Sequence, residues 1–159
     1  MNIIKNYQEI INSKIEKIRI QGTPNELYDP INYILNLKSK RVRPILSLLS
    51  YSLFKKDIDK ITEPSIALEF FHNFTLIHDD IMDNADIRRG EDTIHKKWNN
   101  NIGILSGDLL MIFAYKMLEN VEEKTFKKTF QRYHNIAVKV CEGQQYDINF
   151  EVENEISED

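Results

Sequence analysis

Three aspartates and two arginines lie close together in the middle of this sequence, and their spacing suits a site that holds metal against phosphate. In a helix, Asp79 and Asp83 share one face, with roughly 5–6 Å between their Cβ atoms. Asp80 lies about 100° around the helix axis, which favours a role just outside the metal ligands. Mg²⁺ prefers oxygen ligands and completes its shell with water and ligand phosphate. We therefore predict that Asp79 and Asp83 bind Mg²⁺. The motif alone fits a solvated acidic helix end before a basic loop, at Arg88 and Arg89, equally well.

The segment before these aspartates is apolar and aromatic, which is typical of a buried helix rather than a surface helix. Four residues along it are spaced four, three and four positions apart and so share one stripe: His72, Leu76, Asp79 and Asp83. We therefore predict that His72 faces the same cavity as the carboxylates. The alternative is a core histidine with no role in binding.

A second cluster, of positive charge, precedes Pro44 and consists of Lys38, Lys40, Arg41 and Arg43. Proline is favoured in the first turn of a helix, and a helix N-terminus attracts anions through its free amides and its dipole. Lysine would meet a diphosphate as a point charge and arginine as a two-pronged donor. The cluster predicts a second anion site, and the alternative is a solvated helix start.

Helices must position both clusters, because 159 residues with only 5 glycines and 4 prolines favour long helices over many short strands. This length allows one modest domain, and we predict an all-α bundle of about six helices. No strand pattern is visible. The predicted helices cover about 3–20, 27–37, 44–53, 64–83, 104–119 and 123–150, with a loop over 84–103 that contains one turn near 96–98. The acidic residues 151–159 are predicted to be a mobile tail beyond a domain at 1–150.

The bulk properties exclude some classes of protein. The net charge of −4 argues against nucleic acid as the main partner, because there is no overall basic field to attract it. Cys141 is the single cysteine, which excludes an intramolecular disulfide and fits a reducing cytoplasm; we expect it to be buried. Asp108 interrupts the longest apolar run, so we predict no transmembrane segment and a cytoplasmic protein.

Several motifs occur together and in a set order between about residues 38 and 147, and together they resemble the trans-prenyltransferases, the polyprenyl diphosphate synthases. They are Lys40-Arg41-Val42-Arg43-Pro44, Glu69-x-x-His72-x-x-x-Leu76-Ile77-His78-Asp79-Asp80-x-x-Asp83, Arg88-Arg89-Gly90, Thr93-x-His95, Gly107-Asp108 and Glu142-Gly143-Gln144.

This resemblance implies an isoprenoid synthase fold, of which residues 1–150 form a part, and a Mg²⁺-dependent enzyme. Such an enzyme condenses isopentenyl diphosphate with an allylic diphosphate. The resemblance implies catalytic roles for Asp79, Asp80, Asp83 and Arg88, with Mg²⁺ on Asp79 and Asp83 and the allylic diphosphate on Arg88. It implies isopentenyl diphosphate binding by Lys40, Arg43, His72 and Arg89.

The resemblance also implies a place where product length is set. Phe74 stands five residues before Asp79, roughly 7.5 Å back along a helix at 1.5 Å per residue, and Thr75 is beside it. A bulky ring at this place is typical of short products, so we predict C15–C20 prenyl diphosphates. The alternative is that Phe74 is an ordinary core residue.

Two departures from the family pattern bear on activity. Ser39 stands where the family has glycine, and the second aspartate-rich motif and Lys-Thr pair of the family's C-terminal half do not occur here. We therefore expect an N-terminal half that is incomplete alone and that acts as a homodimer or with a missing C-terminal half. The alternatives are a non-catalytic diphosphate-binding or regulatory partner of a full-length synthase, and a helical interaction module.

Overall fold

The predicted all-α architecture is confirmed by a computed structural model, which describes residues 2–152. Within that range the chain forms seven α-helices, one turn of 3₁₀ helix and one two-stranded hairpin. In chain order these elements are α1 (Ile3–Lys17), α2 (Asn25–Asn36), α3 (Val42–Ser52), α4 (Asp59–Met82), β1 (Ile87–Arg88), β2 (Glu91–Asp92), α5 (Ile94–Lys97), α6 (Asn100–Met117), the 3₁₀ turn (Leu118–Asn120) and α7 (Glu123–Phe150).

Two prolines test the predicted helix starts. Pro44 lies in the first turn of α3, as its missing N–H predicts. Pro64 does not open α4, because the helix begins five residues earlier, at Asp59. The first amides of a helix have no partner inside it, so a proline at the sixth position removes only one backbone hydrogen bond. α4 tolerates that loss near its start.

The prediction of no strands is wrong for the stretch after α4. β1 and β2 pair antiparallel, with Ile87 opposite Asp92 and Arg88 opposite Glu91. The two residues between the strands, Arg89 and Gly90, have φ angles of 57° and 86°. Positive φ at both central positions is what a type I′ hairpin turn requires. Strands of two residues are too short to show alternation in the sequence.

The chain divides into two compact units after Asn120. In the first unit α4 packs against α3 and α6, and its core includes Phe70 of α4 and Leu110 of α6, both 0% exposed. A Cβ atom added to Gly107 of α6 would lie 2.5 Å from Nε2 of His78. A larger residue at this position would therefore displace the His78 ring from its place against α6.

The second unit consists mainly of α7, whose predicted bounds are confirmed. Its aromatic side chains form pairs one turn apart, with the rings of Phe126 and Phe130 5.7 Å from each other. Cys141 is exposed, so the expectation of a buried thiol is wrong. Most of the predicted mobile tail, residues 153–159, lies outside the described residues.

The membrane prediction needs a correction. Asp108 does not disqualify its helix by composition: within the described residues, Asn100–Asn120 is one segment long and apolar enough to cross a membrane. A single such helix is weak evidence, because the core helix of a soluble protein passes the same test. The cytoplasmic location stays a prediction.

Candidate functional site

The C-terminal end of α4 carries the two carboxylates predicted to bind metal. The backbone N–H of Asp83 donates to the carbonyl of Asp79 at 2.8 Å, so the helical spacing extends to the end of the motif. Asp79 is half-buried and Asp83 is exposed. The last turn of α4 contains no basic residue. Because a helix C-terminus carries partial negative charge, two carboxylates there favour a bound cation.

Asp80 is held by Arg88 of the hairpin. The Asp80 carboxylate is 1% exposed, and Nε of Arg88 donates to its two oxygens at 3.0 and 3.2 Å. Nη2 of Arg88 makes a further contact with the same carboxylate. Hydrogen bonding to Asp80 is the main cause of a raised Arg88 pKa, which Asp79 and Asp83 raise further. Asp80 thus fixes an arginine beside the two carboxylates.

The donor set fits Mg²⁺ shared with a phosphorylated ligand. Across residues 2–152 no group of three or more histidine, cysteine, aspartate or glutamate side chains is arranged to hold a metal ion. Mg²⁺ is commonly bound by only one or two protein carboxylates together with substrate phosphate and water. Asp79 and Asp83 supply that number of carboxylates.

Three arginines from two other elements act electrostatically on His72, which lies on the stripe that leads to these carboxylates. Burial is the main cause that lowers the His72 pKa to about 4. The charges of Arg43, at the start of α3, and of Arg89 and Arg88, in the hairpin, lower this pKa further, whereas Glu69 raises it. His72 is therefore a neutral donor and acceptor at neutral pH, in a region of positive potential.

Arg89 has the clearest mark of an anion-binding residue. Its backbone is in the left-handed region, with φ of 57°, which is uncommon for a residue other than glycine. Burial is the main cause that lowers the pKa of its guanidinium. Its Nη1 atom is buried and has no hydrogen-bond partner within the described part of the chain. An unpaired buried donor is costly, and a phosphate oxygen would satisfy it.

The residues of the basic cluster before Pro44 differ in their exposure to solvent. Lys40 and Arg43 are exposed, whereas Arg41 is 4% exposed and pairs with Glu69 at 2.8 Å. The sequence reasoning missed the roles of Arg41 and Glu69. The available signal was an acid within an apolar run, which must have a partner if it is buried.

Phe74 packs against aromatic rings on α4, and Thr75 follows it in the chain. The Phe74 ring is 5.4 Å from that of Phe71 and 4.8 Å from that of His78. The Thr75 hydroxyl donates to the carbonyl of His72 at 2.9 Å, back along its own helix. His78, which was not singled out from the sequence, lies with Nε2 3.2 Å from the carbonyl oxygen of Ile104 on α6.

The known proteins that this chain resembles in sequence are prenyl diphosphate synthases. A family model described as Polyprenyl synthetase matches residues 24–159. A geranylgeranyl pyrophosphate synthase of Geoglobus acetivorans is 35% identical over 158 residues, which cover 98% of this chain and 50% of that protein. A short chain isoprenyl diphosphate synthase of Methanocaldococcus jannaschii is 36% identical over 151 residues, covering 94% and 44%.

The same likeness holds in three dimensions. A crystal structure of a geranylgeranyl pyrophosphate synthase matches with a TM-score of 0.94 and 42% identity, covering 99% of this chain and 48% of that chain. A second, from Pyrococcus horikoshii, matches with a TM-score of 0.89 and 32% identity, covering 97% and 48%. The chain therefore spans about half the length of the relatives it matches.

Proposed function

Because this chain belongs to the polyprenyl synthetase family, we propose that it supplies one part of the active site of a short-chain prenyl diphosphate synthase. The observation that carries the proposal is the hairpin after α4: its Arg88 is held against the buried Asp80, next to Asp79, and Nη1 of its Arg89 is buried without a hydrogen-bond partner in the described part of the chain. His72 shares α4 with Asp79 and Asp83, and the charges of the three arginines Arg43, Arg88 and Arg89 lower its pKa. The cations would bind one diphosphate directly. The carboxylates would bind a second diphosphate through a shared metal ion.

The metal side of the site would bind the allylic diphosphate. Asp79 and Asp83 would hold Mg²⁺, and Arg88, oriented by Asp80, would bind the same diphosphate. Bound Mg²⁺ would supply a Lewis acid that stabilises negative charge on the leaving group. The charge-assisted bonds of Arg88 strengthen as that charge develops, so they favour departure of the diphosphate.

The cationic side would bind isopentenyl diphosphate through Lys40, Arg43, His72 and Arg89. In the condensation the allylic C–O bond breaks, and a C–C bond forms to the alkene carbon of isopentenyl diphosphate. A proton is then lost, which leaves a longer allylic diphosphate and free diphosphate. His72, being neutral, donates or accepts a hydrogen bond without adding to the repulsion among the arginines.

We further propose a C15–C20 product. The Phe74 ring, packed near Phe71 and His78, would limit the space for a growing chain on the stripe below Asp79. Thr75 is half-buried beside it and is the smaller neighbour. Replacing Phe74 with alanine in an active assembly should shift the product distribution towards longer chains.

The proposal includes the need for further residues, because the matched relatives are about twice as long as the match. These would come from a second copy of the chain or from a polypeptide that corresponds to the rest of such a relative. A chain that spans about half the length of its relatives also fits a second candidate function. In that case the chain is a non-catalytic diphosphate-binding or regulatory partner of a full-length synthase.

One assay separates these functions. The chain is incubated with Mg²⁺, isopentenyl diphosphate and an allylic diphosphate, alone and with the unmatched segment of the Geoglobus acetivorans relative. Prenyl product that disappears in the Asp79→Ala/Asp83→Ala variant supports the synthase. Diphosphate binding without product in either mixture supports the partner function. A chain that binds no diphosphate contradicts both.

A further inference from the structure

A buried polar stripe runs along α4 beside the stripe that carries the predicted ligands. Its residues are spaced four, four and three positions apart, and each is at most 2% exposed: Glu69, Asn73, Ile77 and Asp80. Two carboxylates and an amide are unusual on a buried helix face, because buried polar groups must be hydrogen-bonded or paired. The proposed chemistry assigns Asp80 to Arg88 and leaves Glu69 without a role.

Glu69 connects α4 to the basic segment. Its Oε1 atom accepts from Nη1 of Arg41 at 2.8 Å and from the Ser39 hydroxyl at 3.2 Å. Nδ2 of Asn73 lies 3.4 Å from the same oxygen and donates to the Glu69 carbonyl at 2.7 Å. One carboxylate oxygen therefore holds two residues of a segment that is about 30 positions earlier in the chain.

The held residues are the two neighbours of Lys40. Ser39 and Arg41 flank that lysine on either side, so fixing both directs the side chain between them to the surface. Arg41 also begins α3 in the left-handed conformation, with φ of 50°. Its side chain is fully engaged, since Nε donates to Asn12 at 3.1 Å and Nη2 donates to the carbonyl of Leu35 at 2.6 Å.

The same carboxylate also acts electrostatically on the arginine of the hairpin turn. Its charge is the main influence that opposes the lowering of the Arg89 pKa by burial, and it also acts on His72. Glu69 thus lies near cations from both the basic segment and the hairpin turn.

We propose that Glu69 is a positioning residue for the cationic diphosphate subsite, where it holds Ser39 and Arg41 so that Lys40 and Arg43 face the same anion as Arg89. This inference rests on the proposed function, since it requires that these side chains bind diphosphate. On this inference Arg41 supports the structure of the subsite and does not contact the ligand itself.

The test is a calorimetric titration of the chain with inorganic diphosphate, first with a chelator present and then with Mg²⁺. Binding with chelator reports the cationic subsite, and the additional binding with Mg²⁺ reports the carboxylate subsite. We expect Glu69→Gln to weaken binding with chelator by roughly tenfold, the effect of about one charge-assisted interaction. The additional Mg²⁺-dependent binding should change much less.

Two further variants separate positioning from stability. The double variant Glu69→Gln/Arg41→Gln removes both buried charges, so it should be more stable than Glu69→Gln alone. It should still bind diphosphate as weakly as the single variant does. Ile66→Val changes a fully buried residue of the same helix, and it should lower thermal stability while binding diphosphate as the unaltered chain does.

The outcomes are distinct for the two levels of inference. If Glu69→Gln or the double variant binds as the unaltered chain does, the positioning role is wrong and the proposed function stands. Equal loss of both binding components in Glu69→Gln and in Ile66→Val also overturns the positioning role, because it reports general destabilisation. If the unaltered chain binds no diphosphate in either buffer, the proposed function fails and this inference fails with it.

Discussion

The two regions that we propose to bind anions use the same pair of residue types in opposite ways. On the metal side Asp80, 1% exposed, holds an Arg88 side chain that is 29% exposed. On the cationic side Glu69, also 1% exposed, holds an Arg41 side chain that is only 4% exposed. Both acids lie on the buried stripe of α4. A partly exposed arginine such as Arg88 can present its charge to the proposed ligand. A buried arginine such as Arg41 can only fix the chain near other cations.

A second comparison concerns the backbone. Each region contains an arginine in the left-handed conformation, Arg41 with φ of 50° and Arg89 with φ of 57°. Non-glycine residues persist there when surrounding contacts hold them. Arg41 is held by three polar partners. Arg89 is held by its hairpin turn, and one of its nitrogens is buried without a hydrogen-bond partner among residues 2–152. The left-handed conformation is thus fixed by buried contacts in one region and lies beside the proposed ligand site in the other.

The largest expected effect tests the difference in exposure. Glu69→Gln leaves the buried Arg41 charge without a counter-ion and should cost about 3–5 kcal/mol of unfolding free energy. Asp80→Asn leaves a partly solvated Arg88 and should cost less, about 1–3 kcal/mol. Urea unfolding of the two variants measures both values. Equal losses of unfolding free energy would contradict the view that Arg41 has a structural role and Arg88 faces the ligand.

The next effect tests the division of labour between the regions. Asp79→Ala/Asp83→Ala removes the two proposed Mg²⁺ ligands and should abolish the Mg²⁺-dependent component of diphosphate binding, a loss of about a hundredfold, or 2.7 kcal/mol. Binding in the presence of chelator should be unchanged, which serves as the internal control. Calorimetry in the two buffers gives both numbers. Loss of binding in both buffers would mean that the two regions are one site.

A smaller effect tests Arg89. Arg89→Asn creates an Asn-Gly pair, which is strongly favoured in a type I′ turn, and it removes the guanidinium. We expect stability to be kept or raised by about 0.5 kcal/mol, while binding with chelator weakens roughly tenfold. Thermal unfolding and calorimetry on the same sample measure the two effects. A variant that is more stable and binds equally well would show that Arg89 is only a turn residue.

Spacing on one helix was predictable from the sequence, because the helical period alone determines which residues share a face. The stripe of His72, Asp79 and Asp83 follows from that period, and so does the end of α4 near Asp83. Pairing between elements was not predictable. Glu69 and Arg41 are 28 positions apart, and a run of four cations gives no sign that one of them is buried.

The hairpin shows a second limit. Its turn residues are Arg89 and Gly90 rather than the Asn-Gly pair that usually predicts such a turn. The strands beside the turn also lack a visible alternating pattern. The sequence placed two arginines in a loop after the aspartates, which was sufficient to associate them with phosphate. It could not show that the tight turn places Arg88 against Asp80 or that it buries a guanidinium nitrogen of Arg89.

The last expected effect concerns pH and tests whether His72 belongs with the cations. In the folded chain its pKa is lowered to about 4, with burial as the main cause and the charges of Arg43, Arg88 and Arg89 adding to it against Glu69. In the unfolded chain the pKa is near the ordinary 6.5. The unfolded state therefore binds more protons between these values. The stability that neutral His72 provides is complete above pH 6.5 and is lost as pH falls towards 4.

His72→Gln keeps the polar character of the side chain and removes the titration. Between pH 7 and pH 5, the free energy of unfolding should fall less in this variant than in the unaltered chain, as measured by urea unfolding at each pH. Diphosphate should raise the His72 pKa by bringing negative charge among the arginines, and NMR titration of the ring protons detects this. A pKa that stays the same when diphosphate binds would place His72 away from the anion, with the buried stripe rather than with the cations.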